Sequence, residues 1–141
     1  MSCLTLNGFR SLPDVRQVEW LANASDHDWL IRLHPDVGPR TLADHLVDLA
    51  NAEGGIICLG IDGVIVQGVA RSSYRVASWR SAAANFTAPI VRHDFAIRGC
   101  RTSRGQDDHL ILIDVVASDR RHHNVANEST LDVLSRLGSI E

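Results

Sequence analysis

Carboxylates that could bind a divalent cation occur at two places in the sequence. Asp26 and Asp28 precede an apolar segment that ends at Leu33, and Asp62 follows the apolar run of residues 56–61. Two or three converging carboxylates can hold Mg²⁺ or Mn²⁺ and activate water for phosphodiester cleavage. The alternative is that Asp26 and Asp28 are solvated residues at the start of a strand and that Asp62 lies in a turn, where aspartate is well tolerated.

Basic side chains are concentrated in two short segments, one on each side of the apolar run of residues 109–116. Arginine pairs well with phosphate oxygens, so both segments are candidate nucleic-acid contacts. The alternative is a pair of solvated loops. The candidate residues are Arg98, Arg101 and Arg104 in the first segment and Arg120, Arg121, His122 and His123 in the second.

The sequence lacks the common signatures of nucleotide, metal and thiol chemistry. Gly54-Gly55 follows a predicted helix instead of opening one, so its amides do not form a phosphate-binding loop. Neither G-x-x-x-x-G-K-[ST] nor G-x-G-x-x-G is present. His122 and His123 have no cysteine nearby, so we expect no metal site there. Cys58 lies inside an apolar run and is expected to be a buried, reduced thiol.

Composition favours a single globular domain. The 141 residues are 45% hydrophobic and 22% charged, and the net charge is −3. A negative net charge argues mildly against a protein built around non-specific nucleic-acid binding, which depends on phosphate neutralisation. The apolar runs are of strand length and the N-terminus does not resemble a signal peptide, so we expect a cytoplasmic protein with no membrane partner.

Two amphipathic helices and one strand are predicted in the first part of the chain. Ser11 can cap a helix whose first turn contains Pro13. Residues 28–33 are predicted to form the first strand. A second capping signature begins at Thr41 and precedes apolar residues with helical spacing. The expected buried face of that helix consists of Leu42, Leu46, Leu49 and Ala50.

Glycines and turn residues predict a strand and a hairpin after the second helix. Gly54-Gly55 is expected to end the helix in the left-handed conformation. Residues 56–61 fit a central strand. Asp62-Gly63 is a hairpin turn signal, after which residues 64–69 are expected to return antiparallel.

The sequence pattern in the rest of the chain predicts one more helix and two or three strands. Residues 74–88 have helical spacing and stop before Pro89. Residues 92–100 and 109–116 are predicted strands joined by a polar loop, and residues 131–137 are a final strand or short helix. The predicted fold is a single α+β domain (mixed α/β) with a largely antiparallel central sheet flanked by about three helices.

The order of these motifs resembles the Schlafen-type AlbA domain of bacterial and archaeal regulators. The family's A-x-A-N-x-x-G-G helix, its G-V-x-D strand and its following strand correspond to LANAEGGIICLGIDGVIVQGV, residues 49–69. Its later motifs correspond to Ala88-Pro89, residues 109–116 with Ala117-Ser118, His122-His123 and Arg136-Leu137-Gly138-Ser139. The resemblance covers residues 20–140.

The resemblance implies a non-catalytic module that binds DNA or RNA or regulates transcription. Relatives with ribonuclease activity use two acids of an E-S-x-x-x-E-F-K motif and an aspartate after the G-V strand. Only Asp26 and Asp62 fit that set, because Ile31 stands at the second acid and Leu33 at the lysine. We therefore expect no catalytic residue, metal or cofactor. A metal-dependent endoribonuclease using Asp26, Asp62 and Mg²⁺ or Mn²⁺ stays an alternative, as does a protein-interaction module.

The resemblance also implies a homodimer, because such domains often occur in pairs and this chain contains one copy. Residues 28–33 and 131–137 are candidate edge strands, whose unpaired backbone groups can pair with another chain. Trp20 and Trp29 add apolar area of the kind enriched at interfaces. The alternative is that both tryptophans belong to the core and that the edges are shielded by Arg32, Asp132 and Arg136.

Overall fold

The computed structural model describes residues 4–24, 28–119 and 121–124, the last two of these by their backbone only. The predicted segment 131–137 lies outside the described residues. The helices are α1 (Leu6–Arg10), α2 (Asp14–Asn23), α3 (Pro39–Asn51), the 3₁₀ helix Ala70–Arg75, α4 (Val76–Arg80) and α5 (Ala82–Phe86). The strands are β1 (Leu30–Leu33), β2 (Gly55–Leu59), β3 (Ile61–Asp62), β4 (Ile65–Val66), β5 (Thr87–Ala88), β6 (His93–Arg101), β7 (Asp107–Val115) and β8 (His123–Asn124).

Four strands form the central sheet in the order β1-β2-β7-β6. β1 and β2 are parallel and are joined through α3, because parallel neighbours need a crossover connection. β2 pairs antiparallel with β7, and β7 pairs antiparallel with β6. The predicted class, an α+β domain with a largely antiparallel sheet, is therefore confirmed.

Helices cover both faces of this sheet. Ile57 and Ile111 belong to an apolar cluster that includes residues of α3, α4 and α5. Ile56 and Leu112 point to the opposite face and belong to a cluster with residues of α1 and α2. Alternate side chains of a strand point to opposite faces, so the apolar runs in β2 and β7 supply both clusters. In the described part of the chain, no helix is long and apolar enough to cross a membrane.

Neither Ser11 nor Thr41 caps the N-terminus of the helix that it was expected to begin. Ser11 ends the short helix α1, which the sequence analysis missed, and its hydroxyl donates to the carbonyl of Asn7. The residue before α2 is Pro13, and the residue before α3 is Gly38. Thr41 therefore lies inside α3, because Pro39 is well suited to the first helical position and starts the helix two residues earlier. The predicted apolar face of α3 is confirmed as buried.

The glycine pair after α3 has two different roles. Gly54 has φ +80° and its amide donates to the carbonyl of Leu49, 2.8 Å away, so it ends the helix as predicted. Gly55 has no positive φ and is the first residue of β2. It is required for space instead, because a Cβ atom there would lie 2.6 Å from the carbonyl oxygen of Trp29.

The predicted hairpin after β2 is present but short. The chain bends at Gly60, and Asp62 then pairs with Ile65 across the turn. The returning strand β4 has only two residues, because Gly68 adopts φ +73° and the 3₁₀ helix begins at Ala70. Arg32 donates to the carbonyl of Gly63 at 2.7 Å and so ties the turn to β1.

The predicted helix over residues 74–88 is divided. It becomes the end of the 3₁₀ helix, α4, α5 and the short strand β5, with the break at Ser81. This division, together with the unpredicted helix α1, is why five α-helices are seen among the described residues instead of about three. Trp79 is fully buried in this segment, and its indole N–H donates to the carbonyl of Val37 at 2.8 Å.

Among the described strands, two lie at the edges of the central sheet. The predicted edge strand β1 is one of them. The other is β6, which the sequence analysis did not identify as an edge. Trp20 and Trp29 stack on each other with ring centroids 5.4 Å apart and pack on the cluster of α1 and α2. Both tryptophans are half-buried, so each contributes part of its surface to this cluster.

Candidate nucleic-acid interface

The first basic segment lies on a long hairpin. β6 and β7 pair in a continuous register from His93 opposite Val115 to Arg101 opposite Asp107. The loop between them is fixed by Thr102, whose amide donates to the carbonyl of Gln106 at 2.8 Å. The Thr102 hydroxyl oxygen also accepts from the amides of Arg104 and Gln106. The end of the hairpin is therefore a rigid scaffold for the basic side chains.

Side-chain anchors hold the hairpin end against the rest of the domain. Ser103 exchanges hydrogen bonds with the backbone of Val66 in β4. One carboxylate oxygen of Asp108 accepts from the amides of Val69, Ala70 and His109. Gly68 makes this close approach possible, because a Cβ atom on it would occupy the position of the Asp108 carboxylate. Three amide donors thus hold the Asp108 carboxylate in place against the start of the 3₁₀ helix.

Arg101 and Arg104 are presented to solvent at this end of the hairpin. The Arg101 side chain is 73% exposed and its contact with Asp107 is long, at 3.5 Å, so this ion pair contributes little. Arg104 is exposed in the loop, and its side chain has no polar partner among the described residues. Two guanidinium groups are therefore available to an anionic ligand.

Arg98 does not join them. Alternate residues of a strand face opposite sides, so Arg98 and Arg101 lie on different faces of β6. Arg98 is 25% exposed, lies 3.4 Å from the carboxylate of Asp14, and donates to Gln17 at 3.4 Å. The first predicted cluster is thus divided between two faces of the sheet.

The face that carries Arg98 contains a charged cleft of about 260 Å³ between α1, α2 and the sheet. Arg10 makes a two-pronged ion pair with Asp114, with distances of 2.7 and 3.0 Å. Asp94 lies opposite Asp114 in the register and also lines the cleft. Sequence reasoning missed Arg10, Asp94 and Asp114, because no local pattern connects residues 104 positions apart.

The second basic segment contains a buried histidine. His122 is 5% exposed, its amide donates to Asn51, and its Nδ1 atom lies 2.6 Å from the carbonyl oxygen of Pro89. This packing gives His122 a structural role and keeps it from a phosphate. Arg121 is exposed. Arg120 lies outside the described residues, and only the backbone of His123 is described, in β8.

The two basic segments lie at opposite ends of β7. A nine-residue strand spans about 27 Å, so Arg101 and Arg104 are well separated from Arg121. The described basic residues therefore form two separate patches instead of one groove.

Of the three candidate carboxylates, the two that the structure describes, Asp28 and Asp62, do not converge. β1 and β2 run parallel with Leu30 opposite Ile56 and Leu33 opposite Leu59. Asp28 comes before the start of β1, whereas Asp62 follows the end of β2, so the two carboxylates lie at opposite ends of the pair. Asp26 lies outside the described residues. Among the described side chains, no group of three or more His, Cys, Asp or Glu residues could hold a metal ion.

The described thiols are not activated. Burial raises the pKa of the Cys58 thiol, as expected for a residue within β2. Burial, with a smaller contribution from Asp108, raises the pKa of Cys100 to about 11. Both cysteines are free.

We expect Cys100 to react slowly with iodoacetamide. At pH 8 about a thousandth of a thiol with a pKa near 11 is thiolate, against roughly a quarter of an unperturbed cysteine. Alkylation in the native protein should therefore be on the order of a hundredfold slower than in denaturant, and its rate should rise about tenfold per pH unit up to that pKa. Mass spectrometry of a Cys3→Ser variant measures this rate. A plateau near pH 9 would contradict the raised pKa.

Comparison with known proteins gives no assignment. No family model matches the chain, and no curated protein matches it significantly.

Proposed function

We propose that this protein is a non-catalytic nucleic-acid-binding module with a regulatory role, of the kind that the Schlafen-type AlbA resemblance implies. The phosphate contacts are assigned to Arg101 and Arg104. The observation that carries the proposal is the exposure of both arginines at the end of a hairpin held in place by Thr102, Ser103 and Asp108.

A rigid hairpin end suits this role because little backbone order has to be gained on binding. A two-stranded ribbon is also one of the shapes that fit the major groove of DNA. Arginine supplies several N–H donors in a planar arrangement that matches a phosphate. The Asp108 carboxylate accepts from backbone amides and forms no ion pair with either arginine among the described contacts.

The small number of available arginines limits the expected affinity for nucleic acid. Two phosphates neutralised on double-stranded DNA give a slope of about −2 in a plot of log K against log salt. The net charge of −3 adds long-range repulsion. We therefore expect weak binding that is measurable only at low salt.

The proposal includes a cytoplasmic location. The two described cysteines are free thiols, which persist best in a reducing compartment.

Removing both arginines should abolish most of the salt-dependent binding. We expect Arg101→Gln/Arg104→Gln to bring the salt slope close to zero, since each lost phosphate contact lowers it by about 1. Fluorescence anisotropy with labelled single- and double-stranded DNA and RNA, at a low and a higher salt concentration, measures affinity and slope together.

Arg16→Gln is the matched control. Arg16 is 71% exposed and has a similarly long ion pair, 3.7 Å from Glu19, but it lies on α2. It should leave the slope unchanged, and Arg101→Lys/Arg104→Lys should keep most of the binding. Failure of the wild-type protein to bind any of the four probes at low salt would refute the proposal. An equal loss in Arg16→Gln would show that net charge, not the hairpin end, is responsible.

A further inference from the structure

The edge strand β6 has a row of unpaired backbone groups. The amide of Val116 donates to the carbonyl of Arg92, and the amide of Thr102 donates to Gln106. In an antiparallel pair the bonded residues alternate, so the even-numbered residues of β6 bond to β7 and the odd-numbered ones point away from it. No hydrogen bond among the described residues uses the backbone groups of Phe95, Ile97 or Gly99 that point outwards.

Within β6 itself, no proline, bulge or shortening of the strand prevents pairing. Proteins protect exposed edges with proline, charged side chains, bulges, short strands or a covering segment. β6 is nine residues long, contains neither proline nor lysine, and keeps a bulge-free register with β7. Ile97 is 49% exposed. Such an edge is a template for another strand.

We propose that β6 pairs antiparallel with β6 of a second copy of this chain, with the two-fold axis at Ala96. Each residue of β6 then lies opposite a residue of the second copy that is equally far from position 96 on the other side. Asp94 faces Arg98 of the second copy, Phe95 faces Ile97, and His93 faces Gly99, each pair occurring twice. The proposal does not rest on the proposed nucleic-acid binding.

The sequence of β6 is complementary to itself in this register. Asp94 and Arg98 would form two opposite-charge pairs on one face, and Phe95 and Ile97 would form two aromatic–β-branched pairs on the other. Both kinds of cross-strand pair are stabilising. Asp94 is exposed and has no polar partner among the described side chains, whereas Arg98 uses only part of its guanidinium on Asp14 and Gln17.

The backbone pattern fits the same register. The amides and carbonyls of Phe95 and Ile97 point outwards, so Phe95 of one copy and Ile97 of the other form a hydrogen-bonded pair. His93 of one copy and Gly99 of the other pair in the same way. Each such pair exchanges two bonds, which gives about eight new backbone hydrogen bonds. Asp94 and Arg98 then fall at non-hydrogen-bonded positions, where opposing side chains approach most closely.

Registers shifted to the neighbouring even-numbered positions are disfavoured. An axis at Arg98 places two arginines opposite each other, and an axis at Asp94 places two aspartates opposite each other. Like charges directly opposite destabilise a strand pair. The axis at Ala96 instead places two small side chains at the centre.

The first test is the mass of the full chain by light scattering at micromolar concentration. We expect about twice the chain mass of 15.5 kDa. Ile97→Lys should raise the dissociation constant of the dimer at least about tenfold, because it replaces both Phe95–Ile97 pairs and puts two charges near the axis. Val64→Lys is the matched control, since Val64 is an exposed apolar residue in the β3–β4 turn.

Charge exchange and cross-linking test the register. Arg98→Asp should weaken the dimer, and Asp94→Arg/Arg98→Asp should restore it, while circular dichroism verifies that each variant is folded. Ala96→Cys should form an intermolecular disulfide under mild oxidation, since opposing residues at the axis have Cα atoms close enough for a disulfide. Asp94→Cys should not, because the two copies of residue 94 are about 13 Å apart along the strands.

Three results would overturn the proposal. One is a monomeric mass near 15.5 kDa. Another is a dimer that Ile97→Lys does not weaken. The third is cross-linking through Asp94→Cys and not through Ala96→Cys, which would place the axis elsewhere.

Discussion

Replacing Gly55 with valine is expected to lower the free energy of unfolding by about 3 kcal/mol or more, or to prevent folding. A Cβ atom at this position would lie 2.6 Å from the carbonyl oxygen of Trp29 and 2.9 Å from Cδ2 of Leu49. The Trp29 carbonyl also accepts the amide of Ile56 at 2.7 Å, at the start of the β1–β2 pairing. Added volume at Gly55 therefore separates β1 from β2 and moves α3 away from the sheet.

Gly99→Val provides the matched control for this prediction. Gly99 is also a strand residue without a positive φ, but no heavy atom lies within 4 Å of a Cβ atom built on it. Valine at Gly99 should be neutral or slightly stabilising, because glycine is unfavourable in strands. Urea unfolding followed by circular dichroism measures both variants. Equal midpoints for Gly55→Val and wild type would show that β1 and α3 do not approach Gly55 so closely.

Trp79→Ala is expected to cost about 3–5 kcal/mol of stability. Trp79 is fully buried in the cluster that α3, α4 and α5 form with the sheet, so its removal leaves a large cavity there. The substitution also removes the hydrogen bond from the indole to the carbonyl of Val37. Trp79→Phe should cost less. It loses the whole hydrogen bond to Val37, as alanine does, but it keeps most of the apolar contact and loses only part of the volume.

Tyr74→Ala is the control for Trp79→Ala. Tyr74 precedes α4 in the same helical segment, but its side chain is 73% exposed, so truncation should change stability by less than about 0.5 kcal/mol. Thermal unfolding of the three variants gives the comparison. A similar loss for Tyr74→Ala and Trp79→Ala would mean that the segment is sensitive to any truncation, and that burial of Trp79 is not the cause.

The nucleic-acid and dimer predictions are independent of each other. Arg101 and Arg104 lie at the end of the hairpin, whereas the proposed axis at Ala96 is near the middle of β6. A dimer without binding and binding without a dimer are therefore distinguishable outcomes. The two experiments use different residues and different measurements.

Several local features could be predicted from short stretches of sequence. The apolar runs of β2 and β7, the buried stripe of α3 and the turn at Gly63 all follow from patterns within about ten residues. These patterns consist of apolar residues at regular spacing. That spacing depends only on the helix or strand that contains them, and not on distant parts of the chain. Cap positions were less predictable, because a proline and a nearby hydroxyl residue each indicated a different first residue of the helix. In the structure α2 follows Pro13 and α3 begins at Pro39.

The candidate site was less predictable than the fold, for a physical reason. Three arginines close in sequence looked like one cluster, but the alternation of β6 sends Arg98 and Arg101 to opposite faces. His122 looked exposed beside other polar residues, yet Asn51 and the carbonyl of Pro89 hold it in the interior. In both cases the environment of the side chain is set by residues far away along the chain.

The sequence by itself determined which segments are apolar, where the chain turns and that the fold mixes helices with a largely antiparallel sheet. Only the tertiary structure decided that β6 is an edge, that Arg10 pairs with Asp114 and that Asp28 and Asp62 lie apart. Local periodicity indicates which side chains are buried, because apolar residues recur at the spacing that places them on one face of their own helix or strand. Strand order and the partners of charged groups depend on which distant segments pack together, and no short pattern contains that information.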